Sequence, residues 1–422
     1  MRSSQESLAT ALAPSLRLPF CYLFAALAAF LVLNLLFVIE RGGFSSSFFR
    51  QGQVMALAHL AALGWITMTA MGAMFQLIPV VLEVPLWSER LGQVQFWVYL
   101  VGVLGFVGSL WSLRFTWAPL FAFVLFLALS QFLLNLGMTL VGVRRWDWTG
   151  YHIVAALLYL AATAFLGLLL ALNLGTGFLG PQVLGFLKGH VYLAVWGWVS
   201  LLIVGVSYKL LPMFALSHGY SEGAGKASFV VGNLGVLGLF FGFILGDGEG
   251  IWLLASSLLL FLAILLYAVQ TYLILKSRRR KLDVALYHSG AAILYLLAAA
   301  VLGILSSLGL LPTGFQFYYT YAYLGLMGWI SLFIVGQMYK IVPFLAWFHK
   351  YSHKVGLEPV PLMKDMFDER LAMAQFYLMN LGILGTSLAF LVNNGRAVGV
   401  FGFLVLLGAV IFIYNMVTAY RR

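Results

Sequence analysis

Charge is what this sequence has least of. Only 9% of its 422 residues are Asp, Glu, Lys or Arg, whereas 63% are hydrophobic, and the mean hydropathy is +1.00. A soluble globular domain usually has about a quarter of its residues charged. The composition therefore excludes an ordinary soluble enzyme and predicts a polytopic membrane protein whose first partner is lipid.

Cysteine is nearly absent as well. The single Cys21 excludes an intrachain disulfide, a metal site made of several cysteines and a covalent haem-attachment motif. The sequence also lacks a phosphate-binding loop, a nucleophile elbow and a dinucleotide fingerprint.

Long apolar runs are abundant. Inside a bilayer, backbone groups cannot bond to water, so an apolar run of roughly 20 residues must be a helix. The sequence contains twelve such runs, among them spans predicted near residues 94–113 and 119–141. They predict an all-α integral membrane protein with one transmembrane domain over residues 1–422.

The distribution of basic residues gives an orientation. The net charge is +11, and the Lys and Arg residues concentrate in alternate connections between spans, as the positive-inside rule describes. The sparse side holds only Arg41, Arg50, Arg114, Lys188 and Arg396. We therefore expect the inner (cytoplasmic) membrane with both termini cytoplasmic, and nucleic acid is not an expected partner.

A motif recurs three times. Gly-Trp begins at Gly64, Gly197 and Gly328, and each copy is followed fifteen residues later by proline, at Pro79, Pro212 and Pro343. The period predicts three pseudo-threefold repeats of four helices, at about residues 18–142, 150–276 and 285–420. The third helix of each repeat also has a glycine pair that predicts close packing: Gly102 and Gly105, Gly235 and Gly238, and Gly382 and Gly385.

Three four-helix repeats, with His59 and His190 shortly before Gly-Trp in the first two, resemble the large catalytic subunit of the haem-copper oxidases. Within that superfamily, the cbb-type oxidases and nitric oxide reductases look nearest. Major-facilitator transporters also have twelve spans, but their repeats contain three or six spans rather than four.

The resemblance implies a role for each matching position. His59 matches the haem ligand of the second helix, and His190 matches a copper ligand of the sixth. Tyr321 and Tyr323 stand where the tenth helix has its two haem-ligating histidines, and residues 229–245 of the seventh helix contain neither His nor Tyr. An intact haem-copper centre is therefore not expected.

Alternatives remain open at each position. His59 either binds one haem b or forms a hydrogen bond as a neutral side chain, since a buried ionisable residue in a membrane helix is costly. His190 is a weak candidate for metal because copper prefers several imidazoles. Tyr321 and Tyr323 are expected to fill the space that haem vacates. His152 and His288, near helix starts, are expected to reach towards headgroups and water.

The first functional hypothesis is a membrane subunit that is not catalytic by itself. It would have a structural, docking or electron-transfer role in a respiratory complex, beside an outer-face redox partner such as a cytochrome c or a copper protein. Two alternatives are a single-haem electron conduit through His59 and a carrier for copper, haem or a small solute.

Overall fold

The computed structural model describes residues 14–45, 52–246, 250–311 and 314–422. This part of the chain is all-helical, 85% in helix and without strands. Twelve of its helices are long and apolar enough to cross a membrane. The prediction of a multi-pass helical membrane protein with twelve spans is confirmed. The sequence position of Arg50 lies outside the described residues.

The spans follow one another through short connections. The first four are α1 (Arg17–Phe44), α2 (Gly52–Val81), α3 (Glu89–Trp111) and α4 (Ala118–Val141). The next four are α5 (Trp148–Thr176), α6 (Gly180–Ala215), α7 (Gly223–Leu245) and α8 (Ile251–Lys276). The last four are α9 (Val284–Ser307), α10 (Phe315–Lys354), α11 (Glu369–Leu391) and α12 (Gly395–Arg421).

Helix starts extend beyond the apolar runs where a cap is available. The third span was predicted from residue 94, but α3 begins at Glu89 because the Ser88 side chain accepts a hydrogen bond from the N–H of Leu91 at 3.1 Å. A serine in this position satisfies one of the N–H groups that the first turn leaves unbonded. Hydropathy alone does not detect such polar first turns.

The described helices form two compact units. One contains residues 70–281 together with α1 up to Tyr22 and the end of α9 from Ala300. The other contains α1 from Leu23, α2 up to Thr69, α9 up to Ala299, and α10 to α12.

Three spans change helix type at the Gly-Trp motif. π-helical turns occupy Leu60–Thr67 in α2, Leu193–Ser200 in α6 and Leu324–Ser331 in α10. Each segment has eight residues, of which Gly-Trp are the fifth and sixth. π-helix is rare and occurs frequently at functional sites. The recurrence marks these three segments as the place to look for function.

The glycine pairs pack the third helix of each group on the fourth, as predicted. A Cβ atom added at Gly235 of α7 would lie 2.7 Å from the backbone nitrogen of Leu260 in α8. One added at Gly382 of α11 would lie 2.8 Å from the carbonyl oxygen of Phe401 in α12. Because both neighbours are backbone atoms, these helices approach as closely as glycine permits.

The same two helices are also joined by a buried amide. In each group of four, an Asn or Gln on the fourth helix bonds a backbone N–H and a backbone C=O at the start of the third, over 2.8 to 3.3 Å. The sets are Asn135 with Ser88, Gln270 with Gly225 and Ser221, and Asn415 with Asp368. Each amide satisfies helix-end groups that lipid cannot.

Candidate functional site

His59 lies directly before the π-helical segment of α2 and is half-buried. Its Nδ1 atom is 2.7 Å from the carbonyl oxygen of Met55, one turn earlier. Because a carbonyl only accepts hydrogen bonds, Nδ1 carries the proton and Nε2 carries the lone pair. Metal-ligating histidines usually have this arrangement, with the other ring nitrogen held by a carbonyl or carboxylate.

His190 lies three residues before the π-helical segment of α6. Its Nδ1 atom donates to the carbonyl oxygen of Thr163 in α5 at 3.1 Å, and its Cε1 atom lies against Gly167 of that helix. The described residues contain no group of three or more His, Cys, Asp or Glu side chains that could hold a metal ion. The surroundings of His190 therefore do not fit a copper site made of several imidazoles, and the observed contact joins α5 to α6.

Tyr323, at a position that the resemblance assigns to a haem ligand, is packed among aromatic rings. Its ring stacks on Phe37 with 5.3 Å between centroids and meets Phe390 edge-on at 5.7 Å. Phe44 and Tyr319 complete the cluster, at 5.5 and 5.6 Å from Phe390. We call these five residues the Tyr323 ring cluster.

Tyr321 is half-buried and stacks on Phe317, one turn earlier in α10, with 5.7 Å between ring centroids. The two residues at the family's haem-ligand positions thus contact aromatic side chains of this chain. Because the rings of Phe37 and Phe390 lie against Tyr323, the surroundings of this side chain do not fit a haem ligand.

Two other histidines are buried, contrary to the prediction that they reach headgroups and water. His152 and His288 are both 0% exposed. Their Nδ1 atoms lie 2.6 and 2.7 Å from the carbonyl oxygens of Trp148 and Val284, one turn earlier. In the described part of the chain, neither buried Nε2 atom has a hydrogen-bond partner.

A glycine on the neighbouring helix makes room for each buried histidine. A Cβ atom at Gly205 of α6 would lie 2.2 Å from the His152 Cβ atom, and one at Gly336 of α10 would lie 2.7 Å from that of His288. Both glycines follow the Gly of Gly-Trp by eight residues. This spacing is the sequence signal that could have revealed the burial.

A tyrosine faces each buried histidine. The ring of Tyr208 lies 5.5 Å from that of His152, and the ring of Tyr339 lies 5.9 Å from that of His288. The Tyr339 hydroxyl donates to Gln375 at 3.2 Å and accepts from Asn415 at 3.3 Å.

The residue after each of these tyrosines is a lysine that forms an ion pair with an aspartate. Lys209 and Lys340 directly follow the two tyrosines, and they pair with Asp147, at 3.7 Å, and with Asp283. Asp147 and Asp283 also accept hydrogen bonds from N–H groups in the first turns of α5 and α9. The Lys340 pair is the less exposed of the two, so water screens it less.

His218, His349 and His353 are exposed. The seven histidines thus divide into two beside π-helical turns, two buried beside tyrosines and three at the surface. No protein-family model and no curated protein matches this chain, so the resemblance to the haem-copper oxidases stays a prediction.

Proposed function

We propose that this chain is a membrane subunit of an electron-transfer complex, built on the helical frame of the haem-copper oxidase large subunit but without its catalytic centre. The Tyr323 ring cluster carries the proposal. A phenol is a weak iron ligand unless it is ionised, and an apolar environment of aromatic rings disfavours the ionised form.

The proposed frame is a threefold repeat of four helices. It is supported by the π-helical turns at each Gly-Trp and by the amide that joins the fourth helix to the third in each group. The glycine contacts between the third and fourth helices agree with it. Features that match at three positions along the chain favour a repeat over chance similarity.

The chain's role in the complex would be to dock and orient a redox subunit on the outer face, such as a cytochrome c or a copper protein.

The described residues offer no set of three metal-binding side chains, and His190 is engaged with the carbonyl of Thr163. We therefore expect the oxygen or nitric oxide chemistry of the superfamily to be absent from this chain alone.

A second candidate is an electron conduit with one haem b. The observation that favours it is the hydrogen bond from His59 Nδ1 to Met55, which orients Nε2 with its lone pair, as in haem-ligating histidines. His59 would hold the iron on one side, and the ligand on the other side would come from elsewhere.

Haem analysis of the full chain, purified from its own membranes, separates the candidates. The scaffold proposal expects no stoichiometric haem by extraction and no cytochrome bands in a reduced-minus-oxidised spectrum. One haem per chain that is lost in His59→Ala and retained in the matched control His190→Ala selects the conduit. Two haems per chain, or robust reduction of oxygen or nitric oxide, contradicts both.

A further inference from the structure

A pocket of about 500 Å³ lies where the end of α1 meets the start of α12. Its walls include Arg41 from the 3-10 turn at the end of α1, Arg396 from the first turn of α12, and Asn393 and Asn394 between α11 and α12. Arg41 and Arg396 come from opposite ends of the sequence, and both are exposed. The fold therefore brings two cations to one concave surface.

The side-chain stem of Arg41 lies along α12. A Cβ atom added at Gly399 would lie 2.5 Å from Cδ of Arg41, so the arginine stem lies against the helix where it has no side chain. In the described residues, the four salt bridges involve neither Arg41 nor Arg396. The described residues that line the pocket include two arginines and no Asp or Glu.

Arginine is scarce on the side of the membrane where these two are predicted to lie. Only five basic residues were assigned to that side, and two of them meet in this pocket. Gly395 and Arg396, in the first turn of α12, line the same pocket, and the N–H groups of a helix start have no earlier carbonyls to bond. They add partial positive charge.

We propose that this pocket binds a phosphate oxyanion, presented by the headgroup of an anionic phospholipid in the outer leaflet. Two guanidinium groups can each bond two phosphate oxygens, which lysine or a lone helix end cannot do. Ile39, two residues before Arg41, and Val400, four residues after Arg396, are 60% and 63% exposed and offer apolar surface to the acyl chains. Inorganic phosphate has the same chemistry and is the other source.

The test titrates phosphatidylglycerol or phosphatidylcholine into the detergent-solubilised full chain and counts bound lipid by native mass spectrometry. We expect preferential binding of phosphatidylglycerol, weakened about tenfold by Arg41→Gln and by Arg396→Gln, since each removes a charge-assisted contact. Arg114→Gln is the matched control, an exposed arginine predicted on the same side but outside the pocket. It should bind like the native chain.

A second arm adds inorganic phosphate without lipid and measures the melting temperature. Stabilisation that depends on both arginines, without a lipid preference, assigns the pocket to a soluble oxyanion. If Arg41→Gln fails to fold, Arg41→Lys keeps the charge and stem and should still weaken binding several-fold through the lost bidentate geometry. Equal binding of both lipids with no phosphate effect, or an Arg114→Gln loss as large as that of Arg41→Gln, overturns the proposal.

Discussion

At the scale of single residues, a polar contact joins the π-helical segments of α2 and α10. The indole N–H of Trp65 in α2 donates to the Ser331 hydroxyl of α10 at 3.0 Å, and both residues are fully buried. The same hydroxyl donates to the carbonyl oxygen of Leu326, five residues earlier, at 2.6 Å. One serine therefore bonds its own π-helical segment and that of another span.

We expect Ser331→Ala to destabilise the chain by about 1 kcal/mol, because it leaves a buried indole N–H without its acceptor. The measurement is unfolding in mixed micelles, completed as a double-mutant cycle with Trp65→Phe. Ser130→Ala is the control, since the Ser130 hydroxyl bonds the carbonyl of Phe126 within its own helix. A coupling energy near zero in the cycle would show that the Trp65 contact does not stabilise the fold.

At the scale of elements, the contact of α7 with α8 depends on backbone proximity. Gly235→Ala would place a methyl group 2.7 Å from the Leu260 nitrogen and 3.0 Å from its Cα atom, and neither atom can rotate away. We expect a loss of about 1 to 3 kcal/mol, typical of overpacking, measured by thermal unfolding in detergent.

Gly137→Ala in α4 is the control for Gly235→Ala, because a Cβ atom there meets nothing within 4 Å. Because alanine has a higher helix propensity than glycine, Gly137→Ala should leave stability unchanged or raise it by up to about 1 kcal/mol. Equal behaviour of the two variants would mean that α7 and α8 are less closely packed than the distances indicate.

At the scale of the whole molecule, the basic residues predict which side each connection faces. In a Cys21→Ser background, a cysteine at Ser112 should react with a membrane-impermeant maleimide added to intact cells. A cysteine at Lys364 should react only after permeabilisation, because its connection is predicted to be cytoplasmic. Both positions are exposed in the fold, so burial does not confuse the result. The opposite labelling pattern would invert the predicted orientation.

The number and order of the spans could be predicted from the sequence, because a bilayer forces any long apolar run into a helix whatever it packs against. The glycine pairs of the third helices were equally visible, since helical spacing is a local property, but their packing against the fourth helices came from the structure. Counting back from each Gly-Trp also singled out His59, His190, Tyr321 and Tyr323 as candidate site residues.

Tertiary structure decided what surrounds those residues. His152 and His288 are buried because Gly205 and Gly336, on other helices, leave room for them, so a position near a helix start did not imply exposure. Rings from α1, α10 and α11 lie around Tyr323. Arg41 and Arg396, which are far apart in the sequence, line the same pocket. Apolar periodicity determines which segments become helices, whereas the partners of each side chain depend on contacts between residues far apart in the chain.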